Sequence, residues 1–442
     1  MFDWFRKNWK IALILLVGVG IRLKLSSMTT HEDLITQLNW GKEANLKGNL
    51  KGFYEWDTWG GAYPNHPPLI IWIYYVVYPI HSGLMWFLSN LGNFIALHRL
   101  APTKFLWLFD FAKWFGMYKY GTTSVLSGLI LILKQFMIVA DLLIGVVIAY
   151  VCKIVKTDWK KPVLIYLLLP FSWYLSSSWG QSDQLSFLFL IVAFILIYSE
   201  KYVWLSPLIY VIAADLKPNC VLLLPVFLMV WFKQKHGWKK LFFGGIVAVF
   251  FVLWTISWFT DKNIFIFMRT VLVKRLSTSE SLINYNGFNF WYIFYPFSRP
   301  GVLDTERFLF VTAKVWGWIA FLITTFLGLR MVRPKKMATM FEAMFVAGFG
   351  SWLFMTGMHE RYAFLGMIPL LFYSIYKPSY LKFFLALSTV FTINLLIAYW
   401  PADWIKNFLD SNDFLLPRIL SVINLWLYIR VTRLMLKRND LS

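Results

Sequence analysis

The stretch SVLSGLILILKQFMIVADLLIGVVIAYVCKIVK, Ser124 to Lys156, decides how the chain folds. Apolar residues run almost unbroken until Lys153 and Lys156 end them. A helix of about 20 apolar residues crosses about 30 Å of hydrocarbon, so 122 to 152 reads as a membrane crossing. Two ionisable residues interrupt it, Lys134 and Asp141. Such groups are costly at that depth and need partners. For Asp141 the expected partners are Lys134 or Asn219, in a structural role.

The rest of the chain repeats this pattern. Of 442 residues 59% are hydrophobic and 15% charged, and the mean hydropathy is +0.60, far from the charge content of a soluble domain. The expectation is an all-α polytopic bundle of about 12 spans. A net charge of +21 would suit nucleic acid, but its Lys and Arg lie in short loops between apolar runs, so the partner they imply is the bilayer. Cys152 and Cys220 sit in or beside apolar runs and form no disulfide framework. The N-terminal segment has basic flanks without an evident cleavage site, and reads as a first helix rather than a removed signal.

Basic clusters set the topology. They fall at Arg6, Lys7 and Lys10; Lys153, Lys156, Lys160 and Lys161; Lys233, Lys235, Lys239 and Lys240; Arg330, Arg333, Lys335 and Lys336; and Arg430, Arg433, Lys437 and Arg438. The positive-inside rule puts all of them in the cytoplasm. Helices expected at 162–176, 184–199, 204–216, 219–233, 238–259, 309–331, 337–355, 362–377, 380–399 and 417–434 then alternate in direction. Only an odd number of crossings fits between Ser26 and Lys153. HPPLIIWIYYVVYPIHSGLMWF (66–87), rich in Pro, Tyr and Trp, is therefore expected to form an interfacial or re-entrant helix on the outer face. The chain reads as one integral domain, 1–442, with long outer loops at 26–121 and 260–308, in the plasma membrane.

On this map every polar break falls on the non-cytoplasmic face. Glu32 and Asp33 follow the first helix. SSSWGQSDQ (176–184) carries Asp183 after Gly180, DLKPN carries Lys217, and TGMHERYAFLGM (356–367) carries His359, Glu360 and Arg361. Each also fits a plainer role. Glu32 and Asp33 resemble solvated loop acids or caps, Asp183 an N-cap, Lys217 a snorkelling lysine, and Arg361 a partner of Glu360. Together they outnumber what connecting loops need.

A phosphate headgroup at this depth would meet Lys217, His359 and Arg361. If that phosphate were the leaving group of a glycosyl transfer, it would depart as an anion and need cations but no general acid. One carboxylate acting as base on the acceptor hydroxyl then suffices. No P-loop, dinucleotide fingerprint or HExxH motif appears, and no cofactor is expected, a divalent metal remaining open. The rival reading is a transporter or flippase of lipid-linked saccharides, but no half-repeat is visible.

SSSWGQSDQLSFLFLIVAFILIYSEK, LKPNCVLLLPVFL and MHERYAFLGMIPLL, in that order, resemble the C-type (GT-C) glycosyltransferases that take sugar from a polyprenyl phosphate. The likeness is to bacterial mannosyltransferases related to the second GPI-anchor mannosyltransferase, and extends to about residue 375. HEDL, YPNHPPLI and YNGFNFWYIF look like the family's first-loop acid, its YPPL helix start and its Asn-x-Trp loop. The resemblance implies Asp33 as catalytic base, with Glu32 beside it, and Asp183 as an orienting acid. Lys217, His359 and Arg361 would bind the donor phosphate, and Asn289, Trp291 and His66 the acceptor or sugar. Implied partners are a polyprenyl-phosphate sugar, a glycan or glycolipid acceptor and the bilayer. This sequence has KPN where KPQ is common, and YPNHPP for YPP.

Overall fold

The structure is a computed structural model and describes residues 2–56, 63–97, 122–260, 263–269, 282–296, 301–399 and 403–439. Residues 98–121 of the first expected outer loop and 270–281 of the second lie outside these. The described chain is almost wholly helical, as the absence of soluble-type charge and the long apolar runs require.

Helix α1 (Phe2–Met28) is followed by α2 (Glu32–Leu46) at a bend of 74°. Helices α3 (Pro68–Leu97) and α4 (Thr122–Val155) come next, then the shorter α5 (Lys160–Leu168). The single helix expected at 162–176 is broken after Leu169, because Pro170 has no N–H to donate and clashes with the preceding turn. A short turn, Pro170–Trp173, leads into a π-helical turn, Tyr174–Trp179, in which the N–H groups of Gly180 and Gln181 both reach Leu175 O, at 2.9 and 3.0 Å.

Beyond it lie α6 (Asp183–Leu196), α7 (Ser206–Leu216), α8 (Leu224–Lys233) and α9 (Trp238–Ser257). A short helix α10 (Phe290–Phe294) precedes the α11–α12 pair, Ala313–Met331 and Met337–Phe354. Then come α13 (Ala363–Tyr376), α14 (Leu381–Tyr399), α15 (Asp403–Ser411) and α16 (Leu415–Asn439). Most ends fall within a few residues of the sequence reading. Helix α11 starts at Ala313, not 309, because Arg307–Phe308 and Val311–Thr312 pair as a tiny antiparallel hairpin and Thr312 Oγ1 caps the helix.

Among the described residues six helices are long and apolar enough to cross a membrane, seven if α1 and α2 form one bent span. Three more apolar helices are shorter, at Asp183–Leu196, Val203–Leu216 and Pro218–Lys233. The molecule is an all-helical membrane protein, with fewer full-length spans than its apolar runs suggested. Prolines and polar breaks account for the shortening. The segment expected to lie in the interface forms one continuous 30-residue helix, α3, with Pro79 inside it. Its Pro68–Leu91 portion is itself long enough to cross. Its first turns run along α2, where Tyr78 Oη donates to Leu38 O (2.9 Å) and Asn45 Nδ2 to Tyr75 O (2.8 Å).

Among the described residues the apolar side chains pack into two main cores and two small clusters. The larger joins α4 to α8, α11 to α14 and α16 around Trp231, Trp352 and Phe345. The smaller gathers Leu34, Leu38 and Trp40 of α2, Tyr54, Ile70 and Tyr74, Leu133 and Met137 of α4, and Phe259. In lipid, helices associate through close packing more than through expulsion of water. Helices α12 and α13 accordingly cross at Gly348 and Gly366, so closely that a Cβ on Gly366 would collide with the backbone of Phe349.

Among the described residues two cations, Arg22 and Lys134, have no exposed surface. Arg22 Nε donates to Asp141 Oδ2 at 2.7 Å, and its other nitrogens reach Gly18 O, Leu167 O and Ser172 Oγ. Tyr166 Oη and Ser176 Oγ complete the carboxylate's partners, at 2.5 and 3.0 Å. The partner of Asp141 is therefore Arg22, not Lys134 or Asn219. Lys134 instead donates to Ser26 O, Thr29 O, Thr29 Oγ1 and Ser178 O, at 3.2, 2.7, 3.1 and 3.0 Å.

Candidate active site where the helices break

The Lys134 ammonium ties the end of α1 to the π-helical turn, and so fixes the two segments that carry the first acids. Thr29 Oγ1 adds a bond to Ser178 O, at 2.6 Å. After this knot the chain turns into α2, whose N-cap is His31; its Nδ1 accepts the Asp33 N–H at 3.0 Å. A ring nitrogen that accepts carries no proton, so the approach of Nδ1 to the Asp33 carboxylate at 3.4 Å is not an ion pair. Burial lowers the His31 pKa below its usual value, against the opposing pull of Asp33.

WGQSD supplies the opposite wall. Gly180 takes φ +76°, and a Cβ there would stand 2.9 Å from Lys134 Cγ and 3.1 Å from Leu34 Cδ1, so glycine alone fits both backbone and space. That turn aims Gln181 Nε2 at Asp33 Oδ2, 3.1 Å away. Two residues on, Asp183 opens α6 and its Oδ2 pairs with Lys217 Nζ at 2.5 Å, both nearly buried. Lys217 itself breaks the chain between α7 and Pro218 with extended backbone. Burial presses its pKa down while Asp183 holds it up.

HERY forms the third wall. Met358–His359 (β2) pairs in parallel with Asn284–Tyr285 (β1), and His359 stacks on Tyr285 at 4.6 Å and 17°. Burial, then Arg361 and Lys217, push the His359 pKa well below normal, so it enters the site neutral. Arg361 meets Glu360 only through Nη1, at 3.3 Å, while its buried Nε has no hydrogen-bond partner among the described residues. The guanidinium lies 5.3 Å from the Trp179 ring and 5.6 Å from that of Tyr362, and Lys217 Nζ lies 4.9 Å from Tyr362. Glu360, fully buried, has its pKa raised by burial and lowered in part by Arg361.

The sequence-predicted residues thus fall into two groups. Asp33, Asp183, Lys217, His359 and Arg361 converge, with Asp33 near enough to Arg361 for direct electrostatic interaction. Glu32, next to Asp33 in the first turn of α2, is exposed, and among the described residues no hydrogen bond ties it to the converging residues. His66 joins them from the turn before α3: its ring contacts Trp40 and Tyr74, its Nδ1 lies 3.3 Å from Tyr74 Oη, and burial with Lys217 and Arg361 pushes its pKa down to about 3.

Asn289 and Trp291 are instead built into the wall. Asn289 Oδ1 caps α10, accepting from Trp291 N and Tyr292 N, and Trp291 Nε1 donates to Phe354 O at 2.7 Å. They brace the loop leading to β2.

Sequence reasoning missed an aromatic cluster. Trp179 and Tyr399 stack at 4.8 Å and 7°, and His31 lies 5.1 and 4.6 Å from them. WGQSD already displayed Trp179; nothing in the sequence around Tyr399 marked it. Beside the cluster, between Asn286, Tyr292, Asn394, Ala398 and α15, opens a cavity of about 340 Å³. Asn286 bridges to His359, so cavity and site share a wall. Among the described residues no group of three or more His, Cys, Asp or Glu side chains is arranged to hold a metal ion.

The arrangement can offer an acceptor carboxylate held by an amide, a guanidinium with free donors, and a buried ion pair, all at helix breaks. No protein-family model matches the chain, and a search of curated proteins finds no match to its sequence.

Proposed function

We propose that the protein is an inverting membrane glycosyltransferase of the C-type. It would move a hexose, mannose by the resemblance, from a polyprenyl phosphate to a glycan or glycolipid acceptor on the outer face of the plasma membrane. The observation that carries this reading is Arg361. Its guanidinium is sunk between Trp179 and Tyr362 with a single long contact to Glu360, and with a buried N–H group unspent. A buried cation with unused, fork-shaped donors suits a phosphate.

In this mechanism the donor phosphate docks on Arg361, while Lys217 keeps one ammonium hydrogen on Asp183 and turns the others to the ligand. Asp33, fixed by Gln181, takes the proton of the acceptor hydroxyl as that oxygen attacks the anomeric carbon from the face opposite the phosphate. The C–O bond to phosphate breaks, and the charge that develops on the leaving oxygen is met by Arg361 and Lys217. Neutral His359 supplies a hydrogen bond without charge. The 340 Å³ cavity, lined by amide, aromatic and acidic side chains, is the acceptor's place in this reading.

The test is transfer from radiolabelled polyprenyl-phosphate mannose by detergent-purified protein, with a membrane lipid extract as acceptor. Labelled product without vesicles or gradient is expected, and Asp33→Asn should lose about 100-fold or more of the rate, in line with removal of a general base. Full activity in Asp33→Asn would remove the base assignment, and donor uptake into vesicles without product would favour transport.

A further inference from the structure

One face of α16 changes character along its length. Trp426, Ile429, Arg430, Arg433, Leu434 and Lys437 line a cleft of about 230 Å³. From Trp426 their spacing is i, i+3, i+4, i+7, i+8 and i+11, which places them on one side of the helix. The other side, with Leu427, Tyr428, Val431 and Met435, is buried in the larger core. The cleft face therefore looks outward, and its residues are exposed.

Along it the chemistry is graded. Trp426 and Ile429 present apolar surface of the kind acyl chains cover, and the next two turns present three cations, within about 16 Å of rise. Tryptophan marks the level where hydrocarbon meets headgroups. Arg430 sits 5.0 Å from the Trp426 ring and 5.6 Å from that of Phe383, at the start of α14, where Lys382 adds a fourth positive charge. No carboxylate pairs with Arg430, Arg433 or Lys437 among the described residues. A protein that leaves three neighbouring cations unpaired at the headgroup level has left them for something anionic in the membrane.

We propose that this cleft binds the headgroup of one anionic phospholipid. Its phosphate oxygens are held by Arg430, Arg433 and Lys437, and the first carbons of its chains lie along Ile429 and Trp426. Basic pockets between helices at the positive end of a membrane protein recognise such headgroups through charge-assisted hydrogen bonds. The site stands apart from the proposed sugar chemistry and does not depend on it.

The full chain, purified in detergent, is titrated with phosphatidylglycerol or phosphatidylcholine, and the bound lipid is counted by native mass spectrometry. One phosphatidylglycerol is expected to be retained at least fivefold over phosphatidylcholine. The variant Arg430→Gln/Arg433→Gln/Lys437→Gln should lose that preference. A variant of equal charge loss elsewhere, Lys233→Gln/Lys235→Gln/Lys239→Gln, should keep it. Equal retention of the two lipids, or equal loss in both triple variants, overturns the site. Displacement by soluble glycerol phosphate at the same concentration overturns the lipid as its occupant. Should the first triple variant fail to fold, Arg433→Gln alone decides by the same ratio.

Discussion

Asp141→Leu should cost the protein about 3–5 kcal/mol, because it strands the Arg22 guanidinium in a fully buried position. In the native molecule Arg22 shares its charge with Asp141 at 2.7 Å and gives its remaining donors to Gly18 O, Leu167 O and Ser172 Oγ. The three neutral oxygens stay after the substitution, but no counter-charge does. Tyr166 Oη loses its acceptor as well, which adds about 1 kcal/mol. Arg22→Leu alone is expected to be nearly as harmful, leaving a buried carboxylate. The double variant Arg22→Leu/Asp141→Leu removes both charges and fills the space with apolar atoms, so it should return to within about 2 kcal/mol of the parent. The departure from additivity is a coupling energy of about 4 kcal/mol or more, well above the scatter of additive sites. Thermal unfolding in detergent, followed by tryptophan fluorescence, measures all four corners of the cycle. Single losses that simply add in the double variant would refute the account of Arg22 and Asp141 as one ion pair.

Gly180→Ala should be felt at the site itself. The positive φ costs about 1–2 kcal/mol for any other L-residue, and the added carbon would press on Lys134 Cγ and Leu34 Cδ1. Shifting Gln181 by about 1 Å from Asp33 is expected to lower transfer about 100-fold; an unchanged rate and unchanged melting temperature would refute it. His31 makes the protein acid-sensitive. Its pKa is lowered in the folded state, so the neutral cap contributes fully above about pH 6.5, the unfolded value, and is lost as pH falls through the depressed folded value. Stability measured from pH 7 down to 4 should decline below about 6.5, with His66 and His359 contributing through their own lowered pKa values, and His31→Asn, which keeps a capping acceptor, should remove only the share of His31.

Most helix ends were legible because apolar runs, prolines and basic clusters speak locally. The convergence of Asp33, Asp183, Lys217 and Arg361 was legible too, since each stood at a polar break on one face of the charge map. What escaped were pairings across long sequence distances. Lys134 and Asp141 are seven residues apart on one helix, separated by about 10 Å of rise, too far to bond. Each finds its partner on α1 or the π-helical turn instead. Tyr399 offered no sign that it would stack on Trp179, since an aromatic at the end of an apolar helix has the same pattern whether it meets lipid or a ring. The Asn-x-Trp loop was visible as a motif, yet its hydrogen bonds turn inward, and only coordinates distinguish a binding amide from a capping one.

The glycine crossing of α12 and α13 bears on how a substrate gets in. Backbones in contact at Gly348 and Gly366 leave no slack, and 89% of the α12 span window is buried. Arg361 and His359 lie in the short connection between those two tightly packed helices. Asp33 and His66 stand beside the smaller core, next to its Leu34 and Tyr74, and only 33% of the α3 window is buried. On the proposed function, the less enclosed α2–α3 side, which carries the acid, is where a lipid-linked donor would enter, opposite the cations of the α12–α13 connection. Lys134, fastened to Ser26, Thr29 and Ser178 at once, ties that acid-bearing side to the π-helical turn.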